Sequence, residues 1–294
     1  ARYITENEDG YIFSSITASY KCEVDFKPFG EEGLGTLGFN LQDAQFVIND
    51  GQHRCAAIAE AIKENPALGE EEVSVLFFYY ESRERVQQMF SDLNRFVQKT
   101  SKSLDILYDK RDDIAASTLA MIERVPVFKE LTEKEKTSLE ARSTKLFTLA
   151  ALYDANVELL KNHGKEDILS NAQRLVEYWT EVSKHMPDWS KVLSGQKLAI
   201  ELRQERISSH STVLRALGGL GVELMSAGEW KGHLAQLDNI DWSKKNSEWE
   251  NVCIVANSVV SNRQARAATK AFIKAKLGLP LTDGEQRSLD RAAA

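Results

Sequence analysis

The sequence predicts an α+β fold, a small mixed sheet at the N-terminal side followed by a predominantly helical part. Two patterns carry that expectation. Before Glu81, short runs rich in aromatic and branched residues alternate with turn residues, as strands prefer. After Glu81, apolar residues recur at helical spacing, and proline or glycine punctuates the pattern.

Residues 11–20, with Tyr11, Phe13, Ile16 and Tyr20, read as the first strand. Residues 27–38 read as a loop, since they hold Pro28 and four glycines. Residues 44–49 form a short apolar strand that runs into the turn signal Asp50-Gly51. Ala56, Ala57, Ile58, Ala59, Ala61 and Ile62 then favour a helix, which Pro66 stops because proline disfavours helix in the residue before it. Residues 73–80 are apolar enough for a strand buried on both faces. The order strand, turn, helix, strand is βαβ-like. Val86, Met89, Phe90 and Leu93 share one face of a helix over 83–94. Further helices are expected over 112–124, 133–140, 144–163, 168–186, 196–204, 209–227, 248–275 and 283–292. Pro126, Gly164, Pro187, Gly195, Gly228 and the Gly278–Pro280 stretch separate them. The domain boundary is expected near residue 110, giving 1–110 and 111–294.

Bulk properties narrow the function classes. With 43% hydrophobic and 28% charged residues, the 294-residue chain has the composition of a soluble globular protein. No apolar run reaches the roughly 18 residues of a membrane span, so no membrane partner is expected. No signal peptide is recognised, although the sequence opens at Ala1 without a methionine. Cys22, Cys55 and Cys253 are far apart and odd in number, and no CxxC pair occurs. A reducing cytoplasm follows as the expected compartment. Net charge is −7, but residues 1–196 carry 23 basic and 33 acidic side chains while 197–294 carry 14 and 11. Contact with DNA is therefore expected in the C-terminal third. The five histidines form no i, i+4 pair, so no metal site is expected.

The strand-to-helix junction Asp50-Gly51-Gln52-His53-Arg54-Cys55 is the main site candidate. A helix start exposes unpaired N–H groups and the positive end of the dipole, which suits an anion. Gly51 allows close backbone approach, Gln52 and His53 add donors, and Arg54 can grip phosphate oxygens in bidentate fashion. Asp50 can order the turn, hold a phosphate-bound metal or, with His53, position a water. The plainer alternative is that Asp50 caps the helix while Arg54 makes a surface ion pair. Cys55, beside His53 and Arg54, is a redox candidate or a small buried helix residue. Asn94 and Arg95, with Lys99 and Lys102, either face the nucleotide or are solvated.

The segment Gly33-Leu-Gly-Thr-Leu-Gly38 matches GxGxxG literally, but no helix is expected after it, so a loop covering the neighbouring pocket is preferred. No P-loop motif occurs. The DNA-contact candidate is a helix through 257–277, where Arg263, Arg266, Lys270 and Lys274 recur on one face with no acid in the segment. Asn262 and Gln264 can approach base edges, and Arg203, Arg206 and Arg215 can extend the patch.

The blocks Asp50-Gly-Gln-His-Arg54, Asp92-Leu-Asn-Arg95, Ser101-Lys-Ser-Leu104, Tyr108-Asp-Lys-Arg-Asp112 and Ser143-Thr-Lys-Leu-Phe-Thr148, in that order, resemble the DndB family of DNA phosphorothioation clusters, with its DGQHR domain. The resemblance extends through Ser209-His-Ser211, Asp241-Trp242 and Lys276-Leu-Gly-Leu279, so it covers most of the chain. It implies a ParB/sulfiredoxin-like fold in which 1–110 binds a nucleotide. ATP or another nucleoside triphosphate, with or without Mg2+, would sit on Gly51, Gln52, His53, Arg54, Asn94 and Arg95. It also implies a regulator that binds promoter DNA through 111–294, with other phosphorothioation proteins as partners and a homo-oligomer left open. NTP hydrolysis is the alternative implied, and a scaffold acting through the acidic helices of 130–195 is a third. Sulfiredoxins place a nucleophilic cysteine just before the histidine. Here Gln52 stands there and Cys55 follows Arg54, a departure from that chemistry.

Overall fold

The computed structural model describes all residues except 9, 31–32, 96–99, 163–166, 227 and 294. It is an α+β structure of two compact units, Ala1–Lys99 and Thr100–Ala294.

The first unit is built on three strands in the order β4-β1-β5: β1 (Ile16–Lys21), β4 (Gln45–Asp50) and β5 (Val75–Tyr79). β1 pairs antiparallel with β4 and parallel with β5. The helix α2 (Gln52–Glu64) connects β4 to β5, but these strands flank β1 and run in opposite senses, so the segment is not a βαβ unit. A short helix α1 (Arg2–Thr5) packs Ile4 against Ala61 and Leu68, and Tyr11, Phe13 and Ile58 surround that small core. The helix α3 (Arg83–Arg95) leans on β4, with the Met89 sulfur accepting from Asn49 Nδ2 at 3.4 Å.

Two expectations are corrected here. Residues 27–38 do not form a loop: β2 (Val24–Pro28) and β3 (Gly35–Phe39) form an antiparallel hairpin. Pro28 is tolerated because it ends its strand, and a Cβ at Gly35 would lie 2.3 Å from the Lys27 carbonyl, so glycine permits the pairing. Nor is β5 buried on both faces. It is an edge strand bonded only to β1, and Leu76, Phe77, Phe78 and Tyr79 are 39–58% exposed.

The second unit is helical: α4 (Lys102–Tyr108), α5 (Asp113–Arg124), α6 (Pro126–Leu131), α7 (Leu149–Leu159), α8 (Ile168–Lys184), α9 (Pro187–Leu193), α10 (Ala199–Glu205), α11 (Ser211–Ser226), α12 (Trp230–Leu234), α13 (Arg263–Lys276) and α14 (Asp283–Ala293). Several starts have a local reason. Asp112 caps α5 through Ile114 and Ala115 N–H, Asp167 caps α8 through Leu169 and Ser170, and prolines open α6 and α9. Phe128, Phe147, Trp179 and Trp189 stack edge to face at the centre of the core. The buried Asn156 is satisfied by Thr118 Oγ1 and Trp179 Nε1 at 2.9 and 2.7 Å. α7 and α11 approach closely at Gly218, where a Cβ would lie 2.1 Å from the Ala155 carbonyl. His210 directly precedes α11, where burial and then the Lys244 charge push its imidazolium down to about 4.

Two expected helices are not there as drawn. Residues 133–140 leave helix after α6, because β6 (Thr132–Glu133) pairs with β7 (Phe147–Thr148). The non-helical stretch that follows is held by Arg203, which donates to the carbonyls of Glu140, Ala141 and Ser143. The 248–275 helix begins only at Arg263. Before it, β8 (Ile254–Val255) and β9 (Ser258–Val259) form a hairpin whose turn, Ala256-Asn257, has positive φ at both residues.

Candidate functional site

At the β4–α2 junction Gly51 has φ +97° and occupies the N-cap position, and no side chain caps α2. Asp50 is therefore not the cap that the plainer reading of the sequence supposed. A Cβ at residue 51 would lie 3.1 Å from Arg54 Nη2 and 3.2 Å from Ile16, which adds to the left-handed backbone in favouring glycine. Gln52 and His53 are exposed in the first turn, whose N–H groups have no side-chain acceptor. Arg54 donates from Nη2 to Asp50 at 2.6 Å and to the Ser15 carbonyl at 3.3 Å, and its Nε–H is buried without an acceptor.

Arg54 also lines a cavity of about 240 Å³ that Tyr11, Ile58, Glu71, Glu72 and Ser74 share. The guanidinium thus meets a cavity, but it arrives matched by Asp50, and the cavity wall is acidic. Cys55 is half-buried and in no disulfide. Asn94 turns back on its own helix, donating to the Phe90 carbonyl at 2.8 Å, and Arg95 closes α3. Lys102 belongs to the second unit and pairs with Asp154 at 2.5 Å, so its charge is committed there. Lys99 lies outside the described residues.

The second unit holds the larger site. A groove of about 660 Å³ runs between α11, α13 and the end of α7. Its walls carry Lys161, Arg215, Arg263, Arg266 and Lys270. Two carboxylates, Glu158 and Glu223, also line it. The α13 cations differ in what they touch. Among the described residues Arg263 and Arg266 have no carboxylate partner. Lys270 pairs with Glu223 at 2.6 Å and Glu285 at 3.6 Å. Lys274 does not belong to an open cationic face: its side chain is 5% exposed and bonds Glu223 at 2.6 Å and Glu285 at 2.8 Å. Burial alone would lower the Lys274 ammonium, but its bonds to Glu223 and Glu285 hold it above the usual lysine range. The sequence spacing located all four on one face. What it did not reveal is that this face turns into carboxylates of α11 and α14.

The flanking residues are also accounted for. Asn262 uses its side-chain oxygen to cap α13 through Ala265 N–H at 2.8 Å. Arg203 holds the carbonyls of Glu140, Ala141 and Ser143, and Arg206 pairs with Asp188 and Asp241. Neither extends the cationic patch. Arg215 does line the groove, fixed by Asp154 at 3.0 Å and Glu158 at 3.6 Å. Lys161, at the end of α7, is a groove residue that sequence reasoning missed, since nothing in the 83–163 pattern marks it. Among the described residues no three His, Cys, Asp or Glu side chains are grouped to hold a metal ion, and no helix is long and apolar enough to cross a membrane.

A family model described as DndB, DNA-sulfur modification-associated, matches residues 1–280 of the chain. No curated protein and no solved structure matches it.

Proposed function

The chain belongs to the DndB family of DNA-sulfur modification-associated proteins, and from that premise we propose that it is a DNA-binding regulator whose phosphate contacts are made by Arg263 and Arg266. The observation that carries this reading is a pair of arginines one turn apart at the start of α13, without a carboxylate partner among the described residues, lining a groove with three more cations. The α13 N-terminus adds its own positive end to them. Phosphate contacts of this kind give affinity without sequence information, so promoter selection rests on other groups, of which the exposed Gln264 is the nearest to hand. Fluorescence anisotropy with promoter duplex tests the reading. Arg263→Glu with Arg266→Glu weakens binding roughly 100-fold at moderate salt, and undiminished binding by the doubly reversed chain overturns it.

A second reading concerns the first unit. The uncapped first turn at Gly51, Gln52 and His53 supports a site for the phosphates of ATP or another nucleoside triphosphate. Arg54 would close over them, Asp50 would be free to take Mg2+ once Arg54 leaves it, and Asn94 and Arg95 would act from α3. This reading corresponds to the ParB/sulfiredoxin-like expectation. Calorimetry of ATP binding with Arg54→Ala tests it, and unchanged affinity removes the assignment. Phosphate release with and without sulfur-modified DNA, against a His53→Ala control, separates a nucleotide hydrolase from a binder.

A further inference from the structure

The groove of the second unit is the wrong shape for a duplex alone. A duplex is convex and far larger than about 660 Å³, so it can rest on the rim but cannot fill the interior. That volume is instead typical of small-molecule sites. The lining is also strongly cationic. Lys161, Arg263 and Arg266 have no carboxylate partner among the described residues, and they converge with Arg215 and Lys270 on one space. The two lining carboxylates are already occupied, Glu158 by Arg215 and Glu223 by Lys270 and Lys274. Arg215 is half-buried and held in place, and its Nε–H is buried and donates to no protein acceptor. A pre-oriented guanidinium with a donor to spare and three unmatched cations together favour several closely spaced phosphate oxygens. The cavity beside Arg54 also offers a guanidinium with an unaccepted Nε–H, but it is a single cation, paired with Asp50 and facing Glu71 and Glu72.

We infer that this groove binds a compact polyphosphate, such as the di- or triphosphate group of a nucleotide, at a site separate from the Gly51–Arg54 turn. Because Arg263 and Arg266 line the groove, an occupied groove competes with DNA for them. The competition rests on the DNA reading above, whereas polyphosphate binding does not.

The test is a calorimetric titration of the full chain with inorganic triphosphate in low salt without Mg2+. Binding is expected, weakened roughly tenfold or more by Arg263→Ala with Arg266→Ala, since both substitutions remove a charge-assisted hydrogen bond to phosphate. Lys161→Ala weakens it severalfold, and Lys191→Ala, a lysine of α9 paired with Asp188 and outside the groove, leaves it unchanged. Ala267→Phe plugs the groove from an exposed position of α13 without altering charge, and it removes triphosphate binding. If that variant fails to fold, the arginine pair still decides. No binding by the wild-type chain overturns the inference. So does binding that Arg54→Ala removes and the α13 variants leave intact, or uptake of a short single-stranded oligodeoxynucleotide with none of triphosphate. In a DNA titration, triphosphate weakens duplex binding by the wild type and not by Ala267→Phe. If the wild type binds no duplex, the DNA reading fails while the triphosphate titration still stands or falls by itself.

Discussion

Arg54 and the Arg263–Arg266 pair both meet a cavity, and they are prepared differently. Arg54 sits in the most recognisable motif of the sequence, yet its guanidinium is locked to Asp50 at 2.6 Å. Arg263 and Arg266 sit in a segment with no motif, and their charges are unspent. An anion reaching Arg54 meets a charge already balanced by Asp50, with the Nε–H as its unspent donor, whereas one reaching Arg263 and Arg266 meets no carboxylate partner among the described residues. The contrast teaches that a motif identifies the family, but the balance of charges around it determines what is ready to bind. The same contrast recurs within α13, whose N-terminal cations are open while Lys274 is buried between Glu223 and Glu285.

The largest expected effect on stability sharpens that internal contrast. Lys274→Ala leaves Glu223 and Glu285 to Lys270 alone and should cost about 2 kcal/mol of unfolding free energy, read from denaturant titration. Arg263→Ala and Arg266→Ala should each stay within about 0.5 kcal/mol, as surface changes do. Equal costs at the two ends would break the division. The largest expected effect on binding is that of the Arg263→Glu, Arg266→Glu chain, which should bind promoter duplex roughly 100-fold more weakly, about 2.7 kcal/mol, with an unchanged melting temperature.

A third effect belongs to the scaffold beneath the groove. His210 is half-buried, with its pKa depressed to about 4 from an ordinary 6.5, so below that ordinary value the unfolded chain binds a proton that the folded chain refuses. Stability contributed by neutral His210 is present above about pH 6.5 and is lost as pH falls toward 4, with a limiting slope of about 1.4 kcal/mol per pH unit. Thermal melts of wild type and His210→Gln between pH 7 and 4.5 should converge as the pH falls. Parallel curves would exclude this group as the cause. The smallest effect tests Arg54: Asp50→Asn frees the guanidinium and should raise affinity for ATP roughly threefold, in keeping with the modest worth of a part-exposed ion pair. A loss of affinity instead would mean that Asp50 itself serves the nucleotide.

Much of this was legible in the chain. Aromatic and branched runs marked the strands, Asp50-Gly51 marked the turn into α2, and the block order indicated the family. The misses have physical causes that lie far away in sequence. Residues 73–80 are apolar enough for a central strand, but only pairing with β1 alone makes β5 an edge. Ala256-Asn257 forms a tight hairpin turn with alanine in the left-handed region, a place where glycine or asparagine is the usual signal. Lys274 has the spacing of a DNA-facing lysine, and only Glu223 on α11 and Glu285 on α14 turn it into a core ion pair. Lys161 became part of a site only when α7 came to lie beside α11 and α13.

The salt dependence of duplex binding tests the central claim most directly. The account predicts that the slope of log affinity against log salt becomes shallower by about 2 in the Arg263→Ala, Arg266→Ala chain, because each arginine neutralises one phosphate, and is unchanged in Arg54→Ala. An unchanged slope in the double variant, or a shallower one in Arg54→Ala, would contradict it.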